Sequence, residues 1–360
     1  MNRNSFIPSL LILSFWGGAR AQDAPPPEKS RADVRYSLSV IDDATFYGDR
    51  SEPVPEVLNQ MLVEPALSYR FHDRLTLASS MIGLAGTHSD NYTQLRIKET
   101  YARLSAGDFD FTLGRKMVRW GTGYAFSAAG VLDPPRVPTD PTDRLNLNEG
   151  RDMVKADWVR GPHAFSLAWS TAALAPADAN LHDTTAFRYN VLVRGFDTSL
   201  IAGNDRGGDS FGALTFTRVL GQAWEVHGET VWREQAAVLL GAKYTVSGIT
   251  FIGEFFTPPN IPYYNYMGLS PLAGRQHYAF LTAGKARLRE RPGWKEWGLS
   301  GSVVANLDDH SYTPVIDASR WFGNHFSSYV HVEIPRGSKT SQFGSAPYST
   351  ATSVGVRFQI

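Results

Sequence analysis

Asp133, Arg136, Asp140, Asp143, Arg144, Glu149 and Arg151 put both signs of charge on one stretch of chain that Pro134, Pro135, Pro138 and Pro141 interrupt. Proline fixes φ and removes a donor, so such a stretch is stiff and does not pair as a regular strand. A stiff strap of mixed charge suits a constriction that sorts solutes by size and charge. The plainer reading is a surface loop whose prolines discourage edge pairing. Asp133, Asp140 and Asp143 also offer oxygens of the kind calcium takes, without the regular spacing of a calcium loop. Covalent chemistry has weaker support. The chain has no cysteine, so thiolate nucleophiles, thiolate metal sites and disulfides are excluded. No His-Glu-x-x-His or other compact metal pattern occurs, and no glycine-rich phosphate loop leads from a strand into a helix. Nine histidines and many serines leave only a dispersed hydrolase site open.

The elements that would position these charges repeat with period two rather than 3.6. Trp224, Val226, Thr230 and Trp232 share one face, against Glu225, His227, Glu229 and Arg233 on the other. Val238, Leu240, Ala242, Tyr244 and Val246 repeat the device against Leu239, Gly241, Lys243 and Thr245. The runs are about ten to twelve residues long, beyond the five or six usual in a globular strand. Tilted strands of that length cross a hydrocarbon layer. Tight turns at His72-Asp73, Gly161-Pro162, Gly221-Gln222 and Ser247-Gly248 alternate with longer connections, the longest being Trp120 to Arg151. The rhythm predicts an all-β, antiparallel, up-and-down barrel of about 18 strands (range 16–20) beginning at Asp33, with Trp120 to Arg151 as its third outer loop and the longest.

Lysine plus arginine balance aspartate plus glutamate at 35 each, so no strongly basic face for nucleic acid is indicated. Mean hydropathy is −0.24, and no run of 18 apolar residues follows the N-terminus, which excludes a helical membrane protein. At the N-terminus, Arg3, the apolar stretch Phe6 to Trp16 and the triplet Ala19-Arg20-Ala21 read as a cleaved leader. The organisation expected is therefore a leader at 1–21, a short extension at 22–32 and one barrel domain at 33–360.

The last residues, Ser353-Val354-Gly355-Val356-Arg357-Phe358-Gln359-Ile360, carry a polar residue, a glycine two later, then an aromatic and an apolar residue at alternate positions. In Ser353, Gly355, Phe358 and Ile360 this resembles the terminal signal of bacterial outer-membrane β-barrels. Isoleucine stands last where phenylalanine is commoner. Gly114-Arg115 and Trp120-Gly121 are similar to a segment found in several porin-like families, without singling one out. The resemblance implies recognition by the barrel assembly machinery, an outer-membrane lipid surround, a third loop folded into the barrel, and passive passage of small hydrophilic solutes. A homotrimer, no cofactor and no enzymatic activity go with it. The competing readings are a lipid-modifying hydrolase and a structural or adhesive barrel.

On that reading the lumen wall includes Arg188, Arg194, Glu225, His227, Glu229, Lys243, Lys285, Arg287, Arg289 and Glu333, with Asp317, His331 and Arg357. Lys285, Arg287 and Arg289 favour an anion on one side, and Glu225 with Glu229 answers them elsewhere. The plain alternative is that these charges pair across the lumen and solvate it. Trp120, Trp158, Trp224, Trp232, Trp297, Tyr189 and Tyr244 are expected as interface anchors. Tyr263, Tyr264 and Tyr266 sit in a long loop where they suit stacking on a sugar or packing the loop on itself.

Overall fold

The computed structural model describes residues 32–87, 91–134, 136–173, 183–205, 210–233, 235–258, 276–285 and 296–360. The leader, all but the last residue of the extension, Arg287, Arg289, Tyr263, Tyr264 and Tyr266 lie outside the described residues.

Period-two patterning becomes eighteen strands. They are β1 (Asp33–Gly48), β2 (Val57–Phe71), β3 (Leu75–Thr87), β4 (Asn91–Ala106), β5 (Phe109–Lys116), β6 (Arg151–Arg160), β7 (His163–Thr171), β8 (Thr184–Val193) and β9 (Phe196–Asp205). The second half comprises β10 (Ser210–Leu220), β11 (Trp224–Trp232), β12 (Ala236–Val246), β13 (Ile249–Thr257), β14 (Tyr278–Lys285), β15 (Trp297–Asn306), β16 (Ser311–Phe322), β17 (Phe326–Glu333) and β18 (Thr350–Gln359). Each is antiparallel to its neighbours in sequence, and β1 pairs with β18 from Ser39↔Gln359 to Gly48↔Thr350. Leu38 and Ile360 exchange both backbone hydrogen bonds at the seam, 3.1 and 3.0 Å. Closure joins the first strand to the last, so the sheet has no edge strand around its circumference.

The alternation sorts side chains by chemistry. Outward positions are apolar and bare: Tyr36 and Leu95 are each 76% exposed, and Leu113, Leu281 and Trp232 project similarly. Inward positions carry the polar set, as at His227 and Glu229, and also covered apolar residues, as at Val231 and Leu239. Tight turns close one end, with Gly195 (φ 80°) and Gly221 (φ 63°) in left-handed conformations that glycine adopts without strain. Residues 49–56, 117–150 and 334–349 connect strands at the other end.

Three sequence expectations are corrected here. Arg194 is not on a wall: it occupies the tight turn between β8 and β9 with φ 52°, exposed. Lys285 pairs across the sheet with Leu299, an outward residue, so it stands on the outer face at the last position of β14. The basic cluster expected inside therefore loses Lys285. Trp120 is no interface anchor, because it is buried in the loop between β5 and β6.

One irregularity re-aims two side chains. Opposite Ser80 and Met81, β4 skips a residue, with Ser80 facing Glu99 and Met81 facing Ile97. This bulge turns the successive residues Lys98 and Glu99 both toward the interior. Each then holds the loop described next.

Candidate functional site

The loop of residues 117–150 lies inside the barrel, fastened by carboxylates. Glu229 of β11 receives Thr122 N in a short bond, Gly123 N at 2.7 Å, Ala128 N at 2.6 Å and Ala129 N at 2.7 Å. Glu254 of β13 takes the stretch between: Tyr124 N in a short bond, Ala125 N at 2.9 Å and Phe126 N at 3.2 Å. Asp133 of the loop accepts Trp120 N at 2.6 Å and Gly121 N at 3.2 Å. A loop placed away from water must satisfy its amides, and hydrogen bonds to ionised acceptors are the stronger kind. Gly121 and Gly123 make the wrap possible. A Cβ on Gly121 would lie 2.1 Å from Ser127 Oγ, and one on Gly123 2.3 Å from Phe126 O. Arg136 folds back to donate to Gly123 O, in a short bond, and to Tyr124 O at 2.9 Å.

Packing completes the fastening. Phe126 is fully buried, stacked on Phe256 with centroids 5.0 Å apart and tilted toward Tyr278 at 6.1 Å. Ala125, Ala128, Ala129 and Leu132 join it against inward Ala186, Ala213, Val231, Leu239 and Phe280. Burying a phenylalanine side chain of this kind contributes roughly 1.5–3 kcal/mol. Phe343, from residues 334–349, joins the same cluster. Beside it Gln342 Oε1 accepts Tyr278 Oη at 2.7 Å and Asn306 Nδ2 at 2.9 Å.

The second arm of the loop is held by the opposite wall. Lys98 Nζ reaches Glu64 at 3.1 Å and Asn146 O at 3.0 Å, and Asn146 Nδ2 donates to Glu64 at 2.6 Å. Glu99 accepts Met117 N at 2.7 Å. Arg144 donates to Ser353 Oγ at 2.8 Å, and Arg357 donates to Arg144 O in a short bond. Between this arm and the inner face of β2–β4 lies a cavity of about 470 Å³, lined by Gln60, Tyr92, Gln94, Arg96, Arg119 and residues of the loop.

Solved structures sharing this architecture include Pseudomonas aeruginosa OccK5 (OpdH), with a TM-score of 0.62 and 10% identity over 91% of this chain and 98% of that one. P. aeruginosa OpdQ matches at 0.61 and 10%, over 91% and 99%. A mutant Rhodopseudomonas blastica porin matches at 0.50 and 9%, over 91% and 100%. The barrel is porin-like. At these identities the likeness is one of fold. No protein-family model and no curated protein matches the chain.

Within this porin-like barrel the expected loop charges do different things. Asp133 is buried and serves amides of its own loop, and burial pushes its carboxyl up to about 6 against the pull of Arg136. Asp140 accepts Arg144 N at 3.1 Å, and burial raises its carboxyl although Arg144 opposes this. Asp143 accepts Leu147 N at 2.9 Å and Asn148 N at 3.0 Å. The three aspartates therefore cap backbone rather than converge, and among the described residues no acid or histidine group could hold a metal. Glu149 pairs with Arg96 at 3.3 Å and Arg115 at 3.7 Å. Arg151 begins β6 on the inward side.

On the wall, Glu225 accepts Tyr124 Oη at 2.8 Å, and Lys243 donates to that same oxygen at 3.1 Å. Burial, with Glu225 beside it, raises the Tyr124 phenol. His227 Nε2 lies 3.0 Å from Glu254 Oε1. Arg188 donates to Ser199 Oγ at 2.9 Å. Glu333 lies 2.9 Å from His331 Nε2, whose Nδ1 is 2.7 Å from Asp317.

Sequence reasoning missed Glu254 and Lys98. Glu254 is the lone charge in Phe251-Ile252-Gly253-Glu254-Phe255-Phe256, and that isolation was its signal. Gly208-Asp209-Ser210-Phe211-Gly212, also missed, has the spacing of a nucleophile elbow. Ser210 opens strand β10 opposite Asn204, however, where an elbow needs a strand-to-helix turn.

Proposed function

We propose that this chain is an outer-membrane channel for passive diffusion of small hydrophilic solutes, narrowed by its long third outer loop. The observation that carries the reading is the loop's attachment across the barrel interior by Glu229 and Glu254, beside a cavity of about 470 Å³ whose lining includes Arg96, Arg119 and Asp140. A soluble protein has no use for a cylinder of exposed Leu, Phe and Trp, whereas lipid covers such a face. On this reading the tight turns are periplasmic and the long loops external. The leader at 1–21 exports the chain, and the barrel at 33–360 follows the short extension. The C-terminal strand, with Ser353 and Gly355 inward and Phe358 and Ile360 outward, is presented to the assembly machinery. No cofactor and no catalysis are involved.

Solutes pass between the loop and the wall of β2–β4. Arg119, exposed and lining that space, meets them directly. Asp133, Asp140 and Asp143 meet them less, because their oxygens are already taken by amides.

The test is single-channel conductance of the refolded protein in a planar bilayer. Steady steps are expected, with an ion preference that moves on Arg119→Gln. Silence from a protein that has demonstrably folded and inserted overturns the channel reading.

A further inference from the structure

At the long-loop end of β14, β15 and β16 the inward residues form two rows across the sheet. Tyr278, Asn306 and Ser311 make the first, and Phe280, Val304 and Thr313 the second. None is more than 2% exposed. One row deeper the cover thins, and Thr282 and Ser302 are half-buried. An inward side chain near the mouth of so wide a barrel meets water unless something lies over it. Residues 334–349, between β17 and β18, lie over these rows.

Their path follows from a few residues. Arg336 continues the sheet, exchanging backbone hydrogen bonds with Tyr312 at 2.8 and 2.9 Å. The chain then winds tightly at Gly337, where a Cβ would lie 2.2 Å from Ser341 Oγ and 2.7 Å from Ser311 Cβ. Asp309 accepts Gln342 N at 2.7 Å, and Ser311 Oγ accepts Phe343 N at 3.2 Å. Gln342 Oε1, taken by Tyr278 and Asn306, ties the segment to the first row. Phe343, also buried, belongs to the apolar cluster that contains Phe280 and Val304 of the second row. On the return, Ser51 N donates to Pro347 O at 2.8 Å and Ser349 N to Gly48 O at 2.9 Å. The Tyr348 ring lies 5.1 Å from that of Tyr47. The segment is thus a strap, fastened to β14–β16 at one end and to the end of β1 at the other. A loop that only roofed the surface would leave its amides and its phenylalanine to water.

We propose that residues 334–349 are a second constriction element, in which Gln342 and Phe343 shut the mouth over β14–β16. Solute is thereby confined to the space beside β2–β4, where Arg119 stands. A constriction has meaning only in a channel, so this rests on the reading above.

The strap can be shortened without parting its ends, because a Cβ on Gly344 would lie 2.4 Å from Gly337 C. Deleting 338–343 removes Gln342 and Phe343 and should enlarge the single-channel steps roughly twofold. Phe343→Ala should enlarge them less. Because the chain has no cysteine, Val304→Cys and Ser302→Cys each supply a unique thiol. A charged methanethiosulfonate should modify the thiol at 302 readily with or without the deletion. The thiol at 304 should react slowly in the full-length strap and about tenfold faster after the deletion. Where the deletion fails to fold, Phe343→Ala carries both readouts. Unchanged steps from a folded, inserted variant overturn the proposal, as does a thiol at 304 that reacts as fast as the one at 302 beneath the intact strap. A silent parent overturns the channel reading and this one with it, whereas a conducting parent whose steps ignore the strap overturns this inference alone.

Discussion

Strands β6–β15 and the remaining strands obey the same alternation, yet they treat the interior in opposite ways. Inward positions on β6–β15 include Ala168, Ala186, Ala213, Val231, Leu239 and Phe256, all nearly or fully buried. Inward positions on β1–β4 and β16–β18 include Asp43, Gln60, Glu64, Arg96, Lys98, Glu333 and Arg357. The first wall is dry and receives the loop's apolar stretch, using two carboxylates for its amides. The second is wet, holds the loop's charged arm by ion pairs, and leaves the cavity open. The inward alanines and large apolar residues of β6–β15 thus lie where the loop's apolar stretch packs, although Arg188, Glu225 and Lys243 share that wall and Ile41, Leu62, Ile82 and Leu84 form a smaller buried cluster on the other.

The comparison breaks first at Glu229 and Glu254. Replacing both by glutamine removes the ionised acceptors and presents NH2 groups to backbone donors. Hydrogen bonds to charged groups contribute about 1.5–3 kcal/mol each, so loss of several should release residues 120–130 from the dry wall. The expected result is a several-fold rise in single-channel conductance, with protease cleavage appearing in that stretch. Unchanged conductance in a folded variant would show that the loop does not narrow the path.

Phe126→Ala tests the packing of the dry wall separately from its charges. Truncating a buried phenylalanine costs about 3–5 kcal/mol. Amide exchange should quicken at residues 124–130 while the strands stay protected. Lys98→Met should do less, and on the other wall. It removes the cation from Glu64 and a donor from Asn146 O, at a cost of about 1–3 kcal/mol. Exchange should rise at 143–150 and not at 124–130. Release of both arms together would mean that the two walls act as one unit.

The division between walls also explains what could be read ahead of the structure. Period-two runs and alternating turns gave the barrel, its eighteen strands and the position of the long loop, because each is a local property of the chain. The dry wall was not readable. Alternation puts Leu239 on the inward face with Lys243, but nothing local to the chain shows that a loop covers Leu239 and Phe256 there. The bulge at Ser80/Met81 shifts β4 by one residue, so Lys98 and Glu99 both turn inward where a strict alternation allows only one. Lys285 was placed inside for a similar reason. No pairing partner was available to fix its face, and at the end of a strand a lysine stem can lie along the outer wall while its charge reaches water.

The smallest effect concerns Asp133, which belongs to neither wall. Its carboxyl is raised from 3.8 to about 6 by burial. A raised acid means the docked loop binds the proton more tightly than the released one. This group's contribution is therefore fully favourable below about pH 4, and is lost as pH rises toward 6. At 1.36 kcal/mol per unit the loss is about 3 kcal/mol at most, a figure in which the pull of Trp120 N, Gly121 N and Arg136 on the ionised form is already counted. Asp133→Asn keeps one acceptor and removes the titration. At neutral pH the variant should differ from the parent by about 1 kcal/mol or less. The informative quantity is the difference between the two across pH 4 to 6, since acids common to both cancel. Amide exchange at residues 120–123 should quicken with pH in the parent beyond the intrinsic rate, and less so in the variant. Parallel profiles would mean that Asp133 is ionised throughout, stabilised by its amides and Arg136 more than burial opposes it.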